Sequence, residues 1–253
     1  MRYLGSFDPI SKVDVIAIRE LAKQETIELN CLENGVLDRE FRLSLLRLSF
    51  SNENNIVISE DLNQGKMYPC RDEEKIQQGD FFLVEEEVRS VLIQEFSFAK
   101  EILSARLKPE RVAHSFSVAN VCKELAEIHY LDANKAYFMG LWHDVSKNDP
   151  SQKKQAKEYS CPDWAVHGYL GAKWLRDHFL IKDREILQAI ELHSLGDQAE
   201  TDYDRVLFIA DKIEPLRGYD CQEEWQLAKK DLKKCLQLVL HKQQEFVERK
   251  KHG

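Results

Sequence analysis

Glycine and proline are scarce, ten and six in 253 residues, which excludes a low-complexity or collagen-like chain and leaves little to interrupt helices. Basic charge is short as well. The 36 Lys and Arg are outnumbered by 44 Asp and Glu, for a formal net charge of −8. That balance argues against a nucleic-acid surface, because duplex binding is mostly the neutralisation of phosphates by clustered cations. A small anionic ligand needs only a few local cations and stays open. The six cysteines, Cys31, Cys70, Cys122, Cys161, Cys221 and Cys235, form no CxxC pair and no framework of short spacings, so they read as reduced thiols. Nowhere do about 18 apolar residues run together, and the opening MRYLGSFDPI lacks a charged segment followed by an apolar one. A cytoplasmic protein is expected, with neither membrane nor nucleic acid as partner. No internal repeat is visible.

What is present is the composition of a globular protein, 43% hydrophobic and 32% charged, long enough for one large domain or two small ones without disulfides. The first 60 residues or so read as mixed α/β: a short start at 1–7, a turn at Asp8-Pro9, helical patterns at 13–23 and 40–48, and a strand-like run at 55–59. Residues 61–80 are polar, punctuated by Gly65, Pro69 and Gly79, and carry the charge run RDEEK. They read as a linker with a solvated face. From about Phe81 helix follows helix, at 84–106, 110–129, 133–144, 164–179, 183–192 and 204–214. A last helix, 223–249, places Trp225, Ala228, Leu232, Cys235, Val239 and Phe246 on one stripe. Core packing is the reading for that stripe, with a homodimer contact as the alternative.

The helical half also carries six potential metal ligands, each where a helix begins or ends: His114, the pair His143-Asp144, His167, His193 and Asp211. A single histidine on an apolar helix is most simply a structural residue; the full series H…HD…H…H…D is far more specific. Neutral imidazoles with carboxylates and no thiolates favour iron, manganese or zinc over calcium or magnesium. Adjacent residues project differently from a helix end, so His143 can serve one ion while the Asp144 carboxylate spans two. Two divalent ions about 4 Å apart suit hydrolysis of a phosphoester or phosphoanhydride. Lys147, one turn past the pair, and Arg217 are placed to neutralise a polyphosphate; Ser115 and Ser194 are candidate phosphate contacts. Gly168 and Gly171 read as sites of close helix approach.

The string RVAHSFSV…GLWHDVSK…VHGYLGA…ELHSLG…ADKIEPLRG resembles the HD-domain superfamily, and within it the symmetrical bis(5'-nucleosyl)-tetraphosphatases, over about residues 100–240. The resemblance implies an all-α bundle with two iron ions and cleavage of diadenosine tetraphosphate into two ADP, with Asp144 and Lys147 catalytic. It further implies that His114, His143, Asp144 and Asp211 hold one ion and that His167 and His193 hold the other, with Asp144 bridging. HSLG at 193–196 departs from the family's HTTG, so Ser194 keeps one hydroxyl and Leu195 none. The alternatives are a phosphohydrolase of another nucleotide, such as a nucleoside monophosphate, and a nucleotide-binding scaffold without activity.

The start, LGSFDPISKVD, is similar to the nucleotide-binding opening of nicotinate-nucleotide adenylyltransferases, GGTFDPIHxGH, with Ser11 and Asp14 in place of the two histidines. An acidic group at a triphosphate site is electrostatically wrong, so adenylyl transfer is not expected. REFRLSLLRLSF and GDFFLVEEEVRSVL continue the similarity, with much of a Rossmann-like domain missing between them. The expected fold class is therefore mainly α: residues 81–253 an all-α HD bundle, preceded by a small remnant α/β, Rossmann-like nucleotidyltransferase segment at 1–80.

Overall fold

Strand β1 (Arg2–Gly5) runs through the middle of a four-stranded parallel sheet in a computed structural model that describes residues 1–60 and 64–252, without the side chains of 246, 247 and 249–252. The chain divides into two compact units, Met1–Ile102 with His178–Leu180, and Leu103–Asp177 with Ile181–Gly253.

In the first unit, α1 (Lys12–Ala22) crosses from β1 to β2 (Ile27–Cys31), and α2 (Arg39–Ser49) leads to β3 (Ile56–Ile58). The register pairs Arg2 with Glu28 and Ile27 with Ile56. β4 (Lys66–Met67) then pairs with the opposite side of β1, giving the order β3-β2-β1-β4. The order reverses at β1, and in open parallel sheets the crevice at such a point, beyond the strand ends, is where ligands bind. The loop after β1 carries the FDPI residues. Phe7, Ile10, Ile18, Leu29, Leu43 and Tyr68 pack the core beneath it.

β2 goes unnamed in the sequence reading although Ile27–Cys31 alternates apolar and polar residues; in the fold its polar Asn30 is as buried as its neighbours. The linker expected at 61–80 is corrected by β4 and by helix α3 (Glu73–Gln77); residues 61–63 of it lie outside the described residues. Its charge run is not simply solvated. Glu73 accepts hydrogen bonds from the Asp8 amide at 2.7 Å and the Ser6 hydroxyl at 2.8 Å. Arg71 donates through Nε to Asp14 Oδ1 at 2.8 Å. Asp14 is fully buried and also receives the Ser11 hydroxyl. The groups that a phosphate would meet beyond β1 are thus satisfied by the chain's own carboxylates.

The expected helix at 84–106 is two helices, α4 (Glu86–Gln94) and α5 (Ala99–Arg106). Between them Phe96 and Phe98 take left-handed conformations, φ 51° and 60°, and the Ser97 amide closes the first helix on the Leu92 carbonyl. Phenylalanine is a poor sequence signal for such a stop, which glycine usually supplies.

The second unit is helical. α6 (Pro109–Ile128) begins with proline at its first turn, where no amide partner is lost. α7 (Ala133–Trp142) is capped by the Asp132 carboxylate on the Asn134 and Lys135 amides. A short α8 (Gln152–Gln155) precedes α9 (Val166–Trp174), which passes into a π-turn at Leu175–Phe179. α10 (Arg184–Leu192) is capped by Asp183, and α11 (Asp202–Ile213) by a reciprocal box between Thr201 and Asp204. The expected terminal helix is split into α12 (Gln222–Ala228) and α13 (Leu232–His252). Ala228, Leu232, Cys235 and Val239 of its stripe are buried; the Phe246 side chain lies outside the described ones.

Two close approaches set the bundle. A Cβ on Gly140 of α7 would stand 2.6 Å from the Ala119 Cα of α6, and one on Gly168 of α9 would stand 2.6 Å from the Glu191 carbonyl oxygen of α10. Gly171 is different: its Cβ would meet nothing closer than 3.5 Å, so alanine would fit there and close approach is not its reason.

Candidate metal centre

α7 and α10 each end at a histidine whose ring folds back on its own last turn. His143 Nδ1 lies 2.7 Å from the Gly140 carbonyl, and His193 Nδ1 lies 2.7 Å from the Ile190 carbonyl. A carbonyl only accepts, so in each ring Nδ1 carries the proton and a neutral Nε2 presents its lone pair. Burial draws the His143 pKa down to about 3, against the pull of Asp144 and Asp211, so the ring is neutral at neutral pH.

His114, in the second turn of α6, is oriented by a side chain instead: its Nδ1 is 3.0 Å from Glu214 Oε1. Burial raises the Glu214 carboxyl, but hydrogen bonds from Ser117 and His114 outweigh it and hold it below the ordinary range. As a carboxylate it can only accept. His114 Nε2 then faces Asp211 Oδ1 at 3.0 Å. His167, at the start of α9, receives the Lys147 ammonium on Nε2 at 2.9 Å, and burial brings its pKa to about 4. Its Nε2 also lies 2.9 Å from His193 Nε2 and 3.2 Å from Asp144 Oδ1.

Four imidazole lone pairs and two carboxylates therefore converge on one small volume. All six residues are buried. Asp144 faces both ways: Oδ1 lies 3.2 Å and 3.6 Å from His167 and His193, and Oδ2 lies 3.7 Å from His143. Acceptor against acceptor at such distances is repulsive unless a cation stands between them. His114 Nε2, His143 Nε2 and Asp144 Oδ1 are buried without a hydrogen-bond partner, a costly state unless something else binds them. Two imidazole nitrogens held about 2.1 Å from one ion at a right angle would stand about 3.0 Å apart, close to the 2.9 Å between His167 and His193. The donors fit divalent ions. Two sets have the spacing to hold an ion, His114 with His143 and Asp211, or His143 with Asp144 and His193; both draw on the single free lone pair of His143 Nε2, so only one of them can use it at a time.

Cations rim both flanks. Lys147 lies 3.6 Å from Asp144 Oδ1, and Arg111 Nη1 donates to Asp144 Oδ2 at 3.1 Å. Arg217 Nη2 donates to Asp211 Oδ1 at 2.6 Å, and Lys212 pairs with Asp211 Oδ2. Burial raises the Asp144 and Asp211 carboxyls, yet the surrounding histidines and cations hold both well below the carboxylate range. Burial also lowers the Lys147 ammonium.

Of the remaining sequence candidates, Ser194 stands 3.4 Å from His167 Nε2. Ser115 is fully buried with Oγ unpartnered. Sequence reasoning passes over Glu214, Arg111 and Lys212. Glu214 sits three residues past Asp211, and Arg111 three before His114, spacings that put each on the ligand's side of the chain.

The HD domain family matches residues 111–216, which holds every residue named at this site except Arg217. Over 143 residues the chain is 30% identical to a symmetrical bis(5'-nucleosyl)-tetraphosphatase of Bacillus subtilis, covering 76% of that protein and 52% of this chain. The chain belongs to the HD-domain family. It is also 32% identical over 162 residues to a protein named probable nicotinate-nucleotide adenylyltransferase/Ap4A hydrolase in Mycoplasma genitalium, covering 57% of this chain. The match spans 45% of that relative's length, less than half. A solved structure of a predicted HD superfamily hydrolase involved in NAD metabolism, from Clostridium acetobutylicum, superposes with a TM-score of 0.55 at 27% identity, over 61% of this chain and 88% of that one. Among the described residues no helix is long and apolar enough to cross a membrane.

Proposed function

We propose that the HD unit is a metal-dependent phosphohydrolase that cleaves a dinucleoside tetraphosphate at its central bond, diadenosine tetraphosphate yielding two ADP. The observation that carries the reading is Asp144, whose buried carboxylate lies between His143 on one oxygen and His167 with His193 on the other. In this reading His114, His143, Asp144 and Asp211 would hold one ion, and His167 and His193 would hold the second, with Asp144 shared between them. Iron is the proposed metal, with manganese or zinc as alternatives. Bound divalent ions would supply Lewis-acid charge to a phosphoryl oxygen and activate water at neutral pH.

The chain's own groups set where the substrate breaks. Cleavage of a tetraphosphate at its centre leaves two phosphates on each side of the reacting bond, so charge has to be neutralised on both flanks. Arg111 and Lys147 stand on the Asp144 side, Lys212 and Arg217 on the Asp211 side. A site with cations on one flank alone would favour a terminal phosphate instead. Ser194, beside His167, supplies one hydroxyl where the departure at HSLG leaves Leu195 buried. The names of the tetraphosphatase relatives support the same substrate class. Six free cysteines fit a reducing compartment, the cytoplasm. In the proposed domain division residues 81–253 carry the hydrolase, while residues 1–80 carry a nucleotidyltransferase-like segment that is closed to triphosphate.

Metal-loaded protein incubated with diadenosine tetraphosphate is expected to release ADP as the sole nucleotide product. Release of ATP with AMP contradicts symmetrical cleavage. Turnover confined to nucleoside monophosphates in the same panel would replace the substrate class.

A further inference from the structure

Beyond the metal cluster, the second unit holds a cavity of about 1060 Å³, room for a nucleoside and its phosphates at the upper end of ligand-site volumes. Ser194, Lys212 and Arg217 line its inner edge, and each touches a cluster residue: Ser194 reaches His167, while Lys212 and Arg217 bind Asp211. The cavity therefore adjoins the cluster through these three side chains.

Its outer wall is of another chemistry. Trp164 and Tyr219 line it with 61% and 54% of their surfaces exposed. Among the described residues only four aromatic side chains are exposed, Phe82, Tyr130, Trp164 and Tyr219, so two of the four stand at one cavity. Large aromatic faces left in water cost apolar burial, and a nucleobase is a planar ligand that recovers it by stacking. Both rings are placed by their local chain. Trp164 precedes His167 by three residues, in the turn that enters α9. Gly218, at φ 73°, reverses the chain after the turn Pro215–Arg217, a conformation that glycine adopts without strain. Arg217 can thus bind Asp211 while the next side chain, Tyr219, lines the cavity with its hydroxyl donating to the Lys212 carbonyl. Gln243 and Gln244 of α13 add amides to the wall, groups whose paired donor and acceptor suit a purine edge.

Resting on the hydrolase reading, we infer that Trp164 and Tyr219 form the nucleobase subsite for one arm of the substrate, and that they select a nucleoside polyphosphate over a bare one. Tyr219 and the α13 wall lie beyond the segment matched to the HD domain, residues 111–216. Trp164 lies within it.

Calorimetric binding of ADP and of inorganic pyrophosphate to the metal-loaded full chain separates base recognition from phosphate recognition. Trp164→Ala and Tyr219→Ala are each expected to weaken ADP roughly tenfold and to leave pyrophosphate affinity as in the wild type. ADP binding equal to wild type in both variants overturns the inference, and so does an equal loss for ADP and pyrophosphate. Because binding is read without turnover, such a failure leaves the hydrolase reading standing. A wild type that binds ADP through Trp164 and Tyr219 but cleaves no tetraphosphate would remove the hydrolase reading and keep the subsite.

Discussion

Glu214 holds no place in the ligand series, yet it settles which nitrogen of His114 is free. Its buried carboxylate accepts a hydrogen bond from Nδ1 at 3.0 Å and is itself fixed by the Leu216 amide, which donates to its other oxygen at 2.7 Å. Groups that orient a ligating histidine in this way typically matter about 10- to 100-fold in metal affinity. Glu214→Gln should therefore weaken metal binding by roughly tenfold or more, read by competition with a coloured chelator, while the melting temperature of the metal-free protein changes little. Unchanged metal affinity would show that His114 needs no such partner. The six candidate ligands, which the fold brings together in one buried cluster, are picked out in the sequence because His and Asp recurring in that order through successive helices suit metal binding. Glu214, Arg111 and Lys212 are not. A charged residue on a helical segment reads as solvent-facing until the fold shows that its neighbour at i±3 points into a buried cluster.

Helices α6 and α7 owe their spacing to Gly140, and the same residue's carbonyl holds the His143 ring. Gly140→Ala would drive a methyl to within 2.6 Å of the Ala119 backbone, which has no flexible end to yield. A cost of roughly 1–3 kcal/mol is expected, together with loss of metal as His143 moves. Gly171→Ala, with open contacts at 3.5 Å, is the control, expected to keep both melting temperature and metal content; equal behaviour of the two variants would refute the close-approach account. Helix positions in this half are largely readable, because capping residues Asp132, Asp183 and Thr201 stand before apolar-periodic runs. The elements that sequence misplaces have two causes. The breaks at Phe96–Phe98 and after Ala228 lack glycine or proline, so nothing in local composition signals them. β2 and β4 escape notice because their pairing with β1 is long-range.

Across the chain, two units keep the two kinds of phosphate chemistry suggested by the sequence, in opposite conditions. The first has the parallel sheet and the loop at the switch of strand order where a nucleotide would bind, but Glu73 and Asp14 occupy that loop's donors. The replacement of two histidines by Ser11 and Asp14 is visible in the sequence. That Glu73 arrives from a stretch that reads as linker is not, since the contact spans 65 residues. In the second unit buried lone pairs and carboxylates face one another, an arrangement that suits cations. The central claim is that this cluster is a two-ion centre and that hydrolysis depends on it. The most direct measurement is metal content per chain in anaerobically purified protein, set beside turnover of diadenosine tetraphosphate, for the wild type and His143→Ala. The expected result is two divalent ions per wild-type chain, with metal and turnover lost together in the variant; turnover that survives His143→Ala, or that is indifferent to stripping the metal, would contradict it.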